Sequence, residues 1–529
     1  MLGLIFIILI LLCLLICVRI VEKSGTNYWR DRNVVFKKPL LFFGNIIDVI
    51  LLRKSFNSVV KELYFELCAP YFGIWYLGDP QLVIKSPDLI KDILVKDFDY
   101  FQNRHVSHIE DIDKFTARML AFMDGSRWKQ KRATVTPVFS SNKLKCCHVH
   151  IREIAKTMIC HINTTKLNVQ MDLKKLCKEY TIGALSVIIF GLNISCFNTQ
   201  SPILKINPCL SLLDSIQFTL YFSKSYLLKV FIPKYIKCSA KQIMIEFVSD
   251  ILNKKRKLLS NNIGFNVLNS LIDDEDNNLG KFPFNKKRKL LSNNIGFNVL
   301  NSLIDDEDNN LDDVISRLSE FFIASYHSTS SSISLALYEL ALNKNIQSKL
   351  RQEINENFDK YDDISYNELI FMEYLDKIIH ETLRKYPIMS IIGRTCVRSY
   401  KMPNCALTIE EGVRVLIPLS ALHHDPKYFP EPNLFDPERF SKENIRERPA
   451  YCYLPFGAGP RQCLGEKMAL LIMKLAVVYI IRNYEIDVCE DTNIKVEASL
   501  MDFVLDVNGN TSIRFKAIDS STREATPHQ

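Results

Sequence analysis

Residues Pro455 to Gly465 read PFGAGPRQCLG, and they run directly into the apolar stretch EKMALLIMKLAVVYII. A cysteine sits two residues after an arginine, among three glycines, at the start of a helix-period sequence. A thiolate in such a place needs compensation for its charge, and a glycine-rich turn opening a helix supplies backbone N–H groups aimed at the sulfur. Gly457 and Gly459 permit the turn, and Gly465 leaves room for a flat ligand against the helix. The pattern suits Cys463 as an axial metal ligand. A buried inert thiol is the alternative, and it is the reading given to the other fourteen of the 15 cysteines.

At 529 residues the chain has room for one large fold or for two or three domains. Hydrophobic residues make up 47% and charged residues 24%, which excludes disorder over most of the length. The net charge of +8 arises from mixed signs, 67 basic and 59 acidic. This suits a mildly basic surface facing anionic lipid or an acidic partner; no basic-aromatic groove marks a nucleic-acid binder. The cysteines are odd in number, irregularly spaced and without paired CxxC sets, so they read as reduced thiols rather than a disulfide framework or a zinc site. Reduced thiols place the body in the cytosol.

Met1 to Val18, MLGLIFIILILLCLLICV, carries no charge and as a helix would extend about 27 Å, near the thickness of an endoplasmic-reticulum bilayer core. Arg19, Lys23, Arg30, Arg32, Lys37 and Lys38 all follow it, which favours a retained anchor over a cleaved signal peptide. The positive-inside rule then keeps the body cytosolic. Residues 1–20 are read as one transmembrane helix and 21–45 as a linker. Helical periodicity marks 48–66, 143–160, 171–190, 240–260, 311–342, 345–358, 366–386 and 464–483. Strand patterns are short, at 72–86, at 413–420 and as a pair of pieces near 500–516. The expectation is a mainly α fold with small β-sheets over 46–518 and a flexible tail over 519–529.

The segment NKKRKLLSNNIGFNVLNSLIDDEDNNL occurs at Asn253–Leu279 and again, letter for letter, at Asn285–Leu311. Two copies, polar at both ends, do not make a stacked repeat protein; 253–311 reads as a tandem 32-residue duplication in a surface connection. Its KKRK reads as a solvated loop rather than a nuclear address.

The loop resembles the haem-binding signature of the cytochrome P450 family, Phe-x-x-Gly-x-Arg-x-Cys-x-Gly, as Phe456, Gly459, Arg461, Cys463 and Gly465. Further elements occur in that family's order. HETLRKYP carries Glu381 and Arg384 on one helical face, and FDPERF supplies Arg439, which together resemble the Glu-Arg-Arg structural triad. SRWKQKR places Trp128 and Arg132 as in the family's WxxxR, which holds a haem propionate. Arg461, Arg394 in IIGRTC and Arg104 in FQNRH are further propionate candidates. Removing one 32-residue period leaves 497 residues, a usual length for microsomal members. TPVFSSNKLK and LALYELALN resemble the arthropod branch related to vertebrate drug-metabolising P450s.

The resemblance implies haem b held by Cys463, with O2 as co-substrate. It also implies electrons from NADPH through a separate reductase, since the chain has no dinucleotide or flavin fingerprint, and cytochrome b5 as a further electron partner. The thiolate would favour O–O cleavage, and the activity would be monooxygenation of a lipophilic small molecule at the endoplasmic-reticulum membrane. Arg127, Lys129 and Lys131 are candidates for meeting an acidic reductase surface. The distal helix departs from the family pattern Ala/Gly-Gly-x-Asp/Glu-Thr-Thr/Ser. FFIASYHSTSSSIS puts His327 where the acid belongs, Ser325 for glycine and Ser328 for the first threonine, followed by Thr329. His327, Ser328 and Thr329 remain the proton-handling candidates. The hydroxyls can bond back to carbonyls one turn earlier and distort the helix. Two other readings stand beside the monooxygenase: a reductase-independent isomerase or dehydratase of the same fold, and a decayed haem-binding protein. The expected pocket segments are 100–122, 205–230, 317–328, 388–394 and 500–504. YFSKSYLLKVFIPKYIK (221–237) suits an interfacial helix. The sequons at Asn163, Asn193 and Asn510 are expected to stay unmodified in the cytosol.

Overall fold

The computed structural model describes residues 27–40, 43–51, 53–104, 114–164, 169–190, 197, 311–358, 363–403, 405–498 and 505–518. The expected anchor, the duplicated segment up to residue 310, the 221–237 and 240–260 helices, Asn193, the pocket segments 205–230 and 500–504, and the tail lie outside the described residues. Among the described residues no helix is long and apolar enough to cross a membrane.

In chain order the principal helices are α1 (Phe56–Glu66), α2 (Gly125–Val135), α3 (Ser141–Thr164), α4 (Leu173–Leu185), α5 (Leu311–Leu342), α6 (Lys344–Asn357), α7 (Glu373–Lys385) and α8 (Glu466–Asn483). The strands are β1 (Tyr71–Tyr76), β2 (Asp79–Ile84), β3 (Val169–Asp172), β4 (Ile392–Thr395), β5 (Arg414–Ile417), β6 (Tyr484–Val488), β7 (Asn493–Ala498), β8 (Leu505–Asn510) and β9 (Ser512–Ala517). The fold is mainly α with small sheets. One four-stranded sheet has the order β1-β2-β5-β4, with only β2 and β5 parallel.

The largest core lies among α3, α4, α5, α7 and α8. α8 is buried nearly all round from Leu471 to Arg482, and its apolar run leaves no polar face to solvate. A second core covers the four-stranded sheet, where Trp29, within the stretch read as a linker, is 1% exposed and sits edge-on to Trp75.

Boundaries differ from the periodicity where polar groups start a helix. The 48–66 pattern breaks into Ile47–Ile50 and α1, because the Ser55 hydroxyl accepts the Ser58 N–H and caps α1. The 366–386 pattern is two helices. Ser365 and Glu368 form a capping box on Tyr366–Phe371, Met372 is extended, and the Glu353 carboxylate of α6 accepts the Tyr374 and Leu375 N–H groups that open α7. The 171–190 helix begins only after β3, where Asp172 accepts the Lys175 N–H. The carboxy-terminal strand pieces belong to different sheets: β8 pairs with β7, and β9 lies between β3 and β6.

Two buried histidines, His148 and His423, and the half-buried His424 are kept neutral. Burial, the largest cause in each case, pushes His148 and His424 down to about 4 and His423 to about 3. The unfolded chain binds protons at these positions as pH falls below the ordinary histidine value, and the folded chain does not, so stability decreases through that window. Thermal melts at pH 5.5 are expected to lie below those at pH 7.5. His424→Asn, which keeps a donor for the Ser420 carbonyl now bonded at 2.8 Å, is expected to flatten part of the slope; an unchanged slope contradicts the assignment.

Candidate active site

The loop before α8 is closed by its own backbone. Gly457 N–H bonds Leu454 O (3.0 Å), Gln462 N–H bonds Gly459 O (3.0 Å), and Cys463 N–H bonds Phe456 O (2.8 Å). Gly459 has φ +71°, and a Cβ there would lie 1.9 Å from the Leu94 carbonyl oxygen, so any side chain is excluded twice over. That carbonyl belongs to a π-helical turn, Asp92–Lys96, which brings its backbone against the loop. α8 starts at Glu466 with Gly465 as its N-cap. The Gly465 N–H bonds the Cys463 sulfur and favours thiolate, whereas burial, the larger influence, raises the thiol pKa. Cys463 nevertheless retains accessible surface, so its sulfur lines an interior space. Gly465 is open on the same helix end: a Cβ would touch only the Met468 Cε, at 3.6 Å.

Four arginines from four segments converge beside this thiol. Arg461 lies in the loop itself; its guanidinium stacks 4.2 Å over the Trp128 ring of α2 and donates to Met123 O (2.5 Å). Arg132, one turn after Trp128, donates to Gln462 O (2.7 Å). Arg104 donates to Arg461 O (3.2 Å). Arg394 stands on β4, and the backbone bond from Thr395 N–H to Asn103 O (2.9 Å) ties β4 to the Arg104 segment.

Burial lowers the pKa of all four, Arg461 to about 9 and Arg394 well below its ordinary value, and for Arg132, Arg394 and Arg461 repulsion from neighbouring arginines adds to it. Arg394 Nε, Arg461 Nε and Arg461 Nη1 are buried without a hydrogen-bond partner among the described residues. Desolvated guanidiniums in that state call for an anion with several acceptor oxygens. The two carboxylates of a haem fit that requirement, with its iron within the chemistry of the Cys463 thiolate.

Behind the loop, Glu381 and Arg384 of α7 are fully buried and bidentate, with Nε–Oε2 at 2.7 Å and Nη2–Oε1 at 2.8 Å. Arg439 Nε lies 3.5 Å from Glu381 Oε1, and the Asp436 N–H donates to the same oxygen. Burial raises the Glu381 pKa against the pull of these partners. Arg384 also donates to His423 O (3.0 Å), and the His423 imidazole Nε2 accepts the Leu454 N–H (3.0 Å) at the mouth of the cysteine loop. The triad therefore holds the loop through His423, a link that no motif announces.

Over residues 314–337 of α5 the accessible residues are Glu320, Ile323, Ala324, Ser325, His327 and Ser328, most of them at i, i+3, i+4, i+7, i+8 spacing, while Thr329 is 2% exposed on the packed side. His327 and Ser328 thus share the open face, and Thr329 does not. The hydroxyls fold back as expected, Ser328 onto Ala324 O (2.6 Å) and Ser332 onto Ser328 O (2.9 Å), yet the helix is α throughout Leu311–Leu342. Arg104 is within electrostatic reach of both Glu320 and Cys463, so this face and the thiol border one region.

The family model for Cytochrome P450 matches residues 35–511. The chain belongs to the cytochrome P450 family. It is similar to Cytochrome P450 6k1 of Blattella germanica (30% identity over 92% of this chain and 93% of that one), and to Cytochrome P450 6B1 of Papilio polyxenes (31%, 87% and 89%). It is also similar to Cytochrome P450 9e2 of Blattella germanica (28%, 91% and 92%). This P450 is an oxidoreductase of the monooxygenase type, using haem iron and dioxygen. Residues beyond the motifs also shape the site: Met123 and Asn103 receive or tie the arginine segments, and Glu320 is the one charged residue of LSEFFI, Leu318–Ile323. A carboxylate running into FFI, one turn after Arg317, was the one visible signal for it.

Two substitutions test this geometry. Glu381→Gln leaves Arg384 buried beside a neutral group and is expected to cost about 3–5 kcal/mol of stability, measured by denaturant unfolding. Gly459→Ala is expected to prevent the loop from closing and to lower haem content severely, whereas Gly78→Ala, which shares the positive φ (+83°) but whose Cβ meets nothing, costs some stability and leaves haem content unchanged.

Proposed function

We propose that this P450 is a membrane-tethered haem-thiolate monooxygenase acting on a lipophilic small molecule, with electrons from an NADPH-dependent reductase. The observation that carries the reading is the set of buried guanidinium N–H groups without partners beside a thiol at a helix amino terminus. Cys463 would ligate the haem iron, with Phe456 and Gly465 beside the cofactor and Gly459 fixing the turn. Arg461, Arg394, Arg132, Arg104 and Trp128 would hold its propionates, and Glu381, Arg384 and Arg439 brace the loop. Haem bound there supplies the iron chemistry that activates dioxygen, one atom entering a C–H or double bond and the other leaving as water.

The chain's own groups supply charge, orientation and protons. The Gly465 N–H and the helix terminus steady the thiolate sulfur. On the distal face His327 takes the place of the family's acid, and an imidazole carries both a proton donor and an acceptor nitrogen, so its ring can hold a proton or pass it on. Ser328 gives its own proton to Ala324 O, which leaves its oxygen as an acceptor on the open face. Thr329, buried, serves the packing of α5. Exposed Arg127 and Lys129, with Lys131, form a basic edge on α2 around buried Trp128, suited to an acidic reductase or cytochrome b5. Residues 1–20 anchor the chain in the endoplasmic-reticulum membrane with residues 46–518 in the cytosol, the 253–311 duplication being a surface insertion. His327 in place of an acid also favours a second reading, a reductase-independent rearrangement of peroxides.

Reduced, carbonyl-treated wild-type protein is expected to show the long-wavelength Soret band of thiolate ligation, and Cys463→Ala to lose it. An imidazole-type spectrum in the wild type contradicts the reading. With reductase, NADPH consumption coupled to product from a lipophilic panel supports monooxygenation; conversion of a hydroperoxide without reductase supports the second reading. Reversing Arg127 and Lys129 to glutamate is expected to raise the KM for reductase about tenfold at low salt, with the difference shrinking at high salt.

A further inference from the structure

The segment after the short helix Lys114–Ala117 crosses α5 as a strap, and it is fastened there twice. Arg118 Nη1 bonds Asp313 Oδ1 at 3.0 Å. Seven residues further along α5, Glu320 accepts two backbone N–H groups of the strap, one on each oxygen: Leu120 N–H to Oε2 at 2.5 Å and Ala121 N–H to Oε1 at 2.6 Å. The strap then delivers Leu120 and Met123 into a small buried cluster with Phe98 and Trp128, against which Leu464 packs. Met123 O receives Arg461 Nη2. One carboxylate on the open face of the distal helix is thus connected, through four residues of backbone, to the arginine and the leucine that bracket the cysteine loop.

We propose that Glu320 is a positioning residue whose charge state fastens the 118–123 strap over the distal helix, and thereby sets access to the site and the seating of Arg461. The chemistry is a matter of lone pairs. An ionised carboxylate accepts on both oxygens; a protonated one carries a hydroxyl that must donate, so one of the two strap amides loses its acceptor. The groups facing Glu320 are Arg317 on its own helix, Arg104, and Arg461 in the loop; Asp313 is engaged by Arg118, and Lys114 is exposed. Burial, the largest influence, raises Glu320 to about 7 despite the two amides, Arg104 and Arg317, all of which pull it down. The sign follows: above neutrality the strap is held at both oxygens, and below it one amide is released.

The test is amide hydrogen exchange of the full-length holoenzyme at residues 120 and 121, corrected for intrinsic exchange, from pH 6 to pH 8. Wild type is expected to gain about tenfold protection or more across a midpoint near pH 7, as a charge-assisted bond is made. Glu320→Gln is expected to show low, pH-independent protection. Asp313→Asn, which loosens only the other fastening, keeps the midpoint and supplies the control should the first variant fold poorly. Carbon monoxide rebinding after photolysis is expected to quicken below the same midpoint in wild type and to be pH-independent in Glu320→Gln. Protection at 120 and 121 that is equal at pH 6 and pH 8, or a midpoint that survives Glu320→Gln, overturns the proposal. The carbonyl spectrum recorded in the same samples reports separately on thiolate ligation, so a failure there is distinguishable from a failure of the strap.

Discussion

Gathering four guanidinium groups beside a thiol, Arg394 and Arg461 buried and Arg104 and Arg132 half-buried, is the constraint around which this fold is arranged. Each cation, taken from water, costs free energy that only a close anion with well-placed acceptors offsets. The chain spreads the supports across distant segments: α2 supplies Trp128 as a stacking platform, β4 supplies Arg394, the Asn103–Thr395 backbone bond aligns Arg104, and the loop brings Arg461. No two of the four arginines are local neighbours in sequence. Their convergence is therefore a product of the tertiary fold, and it leaves buried guanidinium donors without partners beside Cys463, where the proposed haem would present its two carboxylates.

A second constraint acts from the opposite side. The loop must hold its shape although its own backbone bonds are few, and it does so by attachment to a buried ion pair. Glu381 and Arg384 form an apparently costly pair in a dry environment, but every oxygen and most N–H groups are engaged, which is the condition under which such a pair holds. His423, kept neutral by burial, turns that rigidity into a hydrogen bond at Leu454. Structural bracing and cofactor chemistry are thus joined through one imidazole.

Much of this was legible in the sequence because glycine, cysteine and arginine at fixed spacing have few interpretations. PFGAGPRQCLG announced both the turn and the helix that follows, and the period of α5 and α8 was plain. Helix boundaries were less legible where the deciding group lies elsewhere in the chain: Glu353 starts α7 from a neighbouring helix, so the 366–386 pattern could not reveal its own break. Thr329 shows the limit of reading by motif alignment. Its neighbour Ser328 shares the open face, but a further rotation of one residue puts Thr329 into the packed side. Glu320, His423 and Met123 belong to no motif, and they matter through partners 31 to 338 residues away.

The whole arrangement turns on a bond between the sulfur of Cys463 and the iron of the proposed porphyrin seated on these arginines. X-ray absorption at the iron edge of the purified ferric holoenzyme reads that bond. A sulfur atom among the iron's nearest neighbours, together with the porphyrin nitrogens, is expected; a first shell composed of nitrogen and oxygen alone would overturn the assignment.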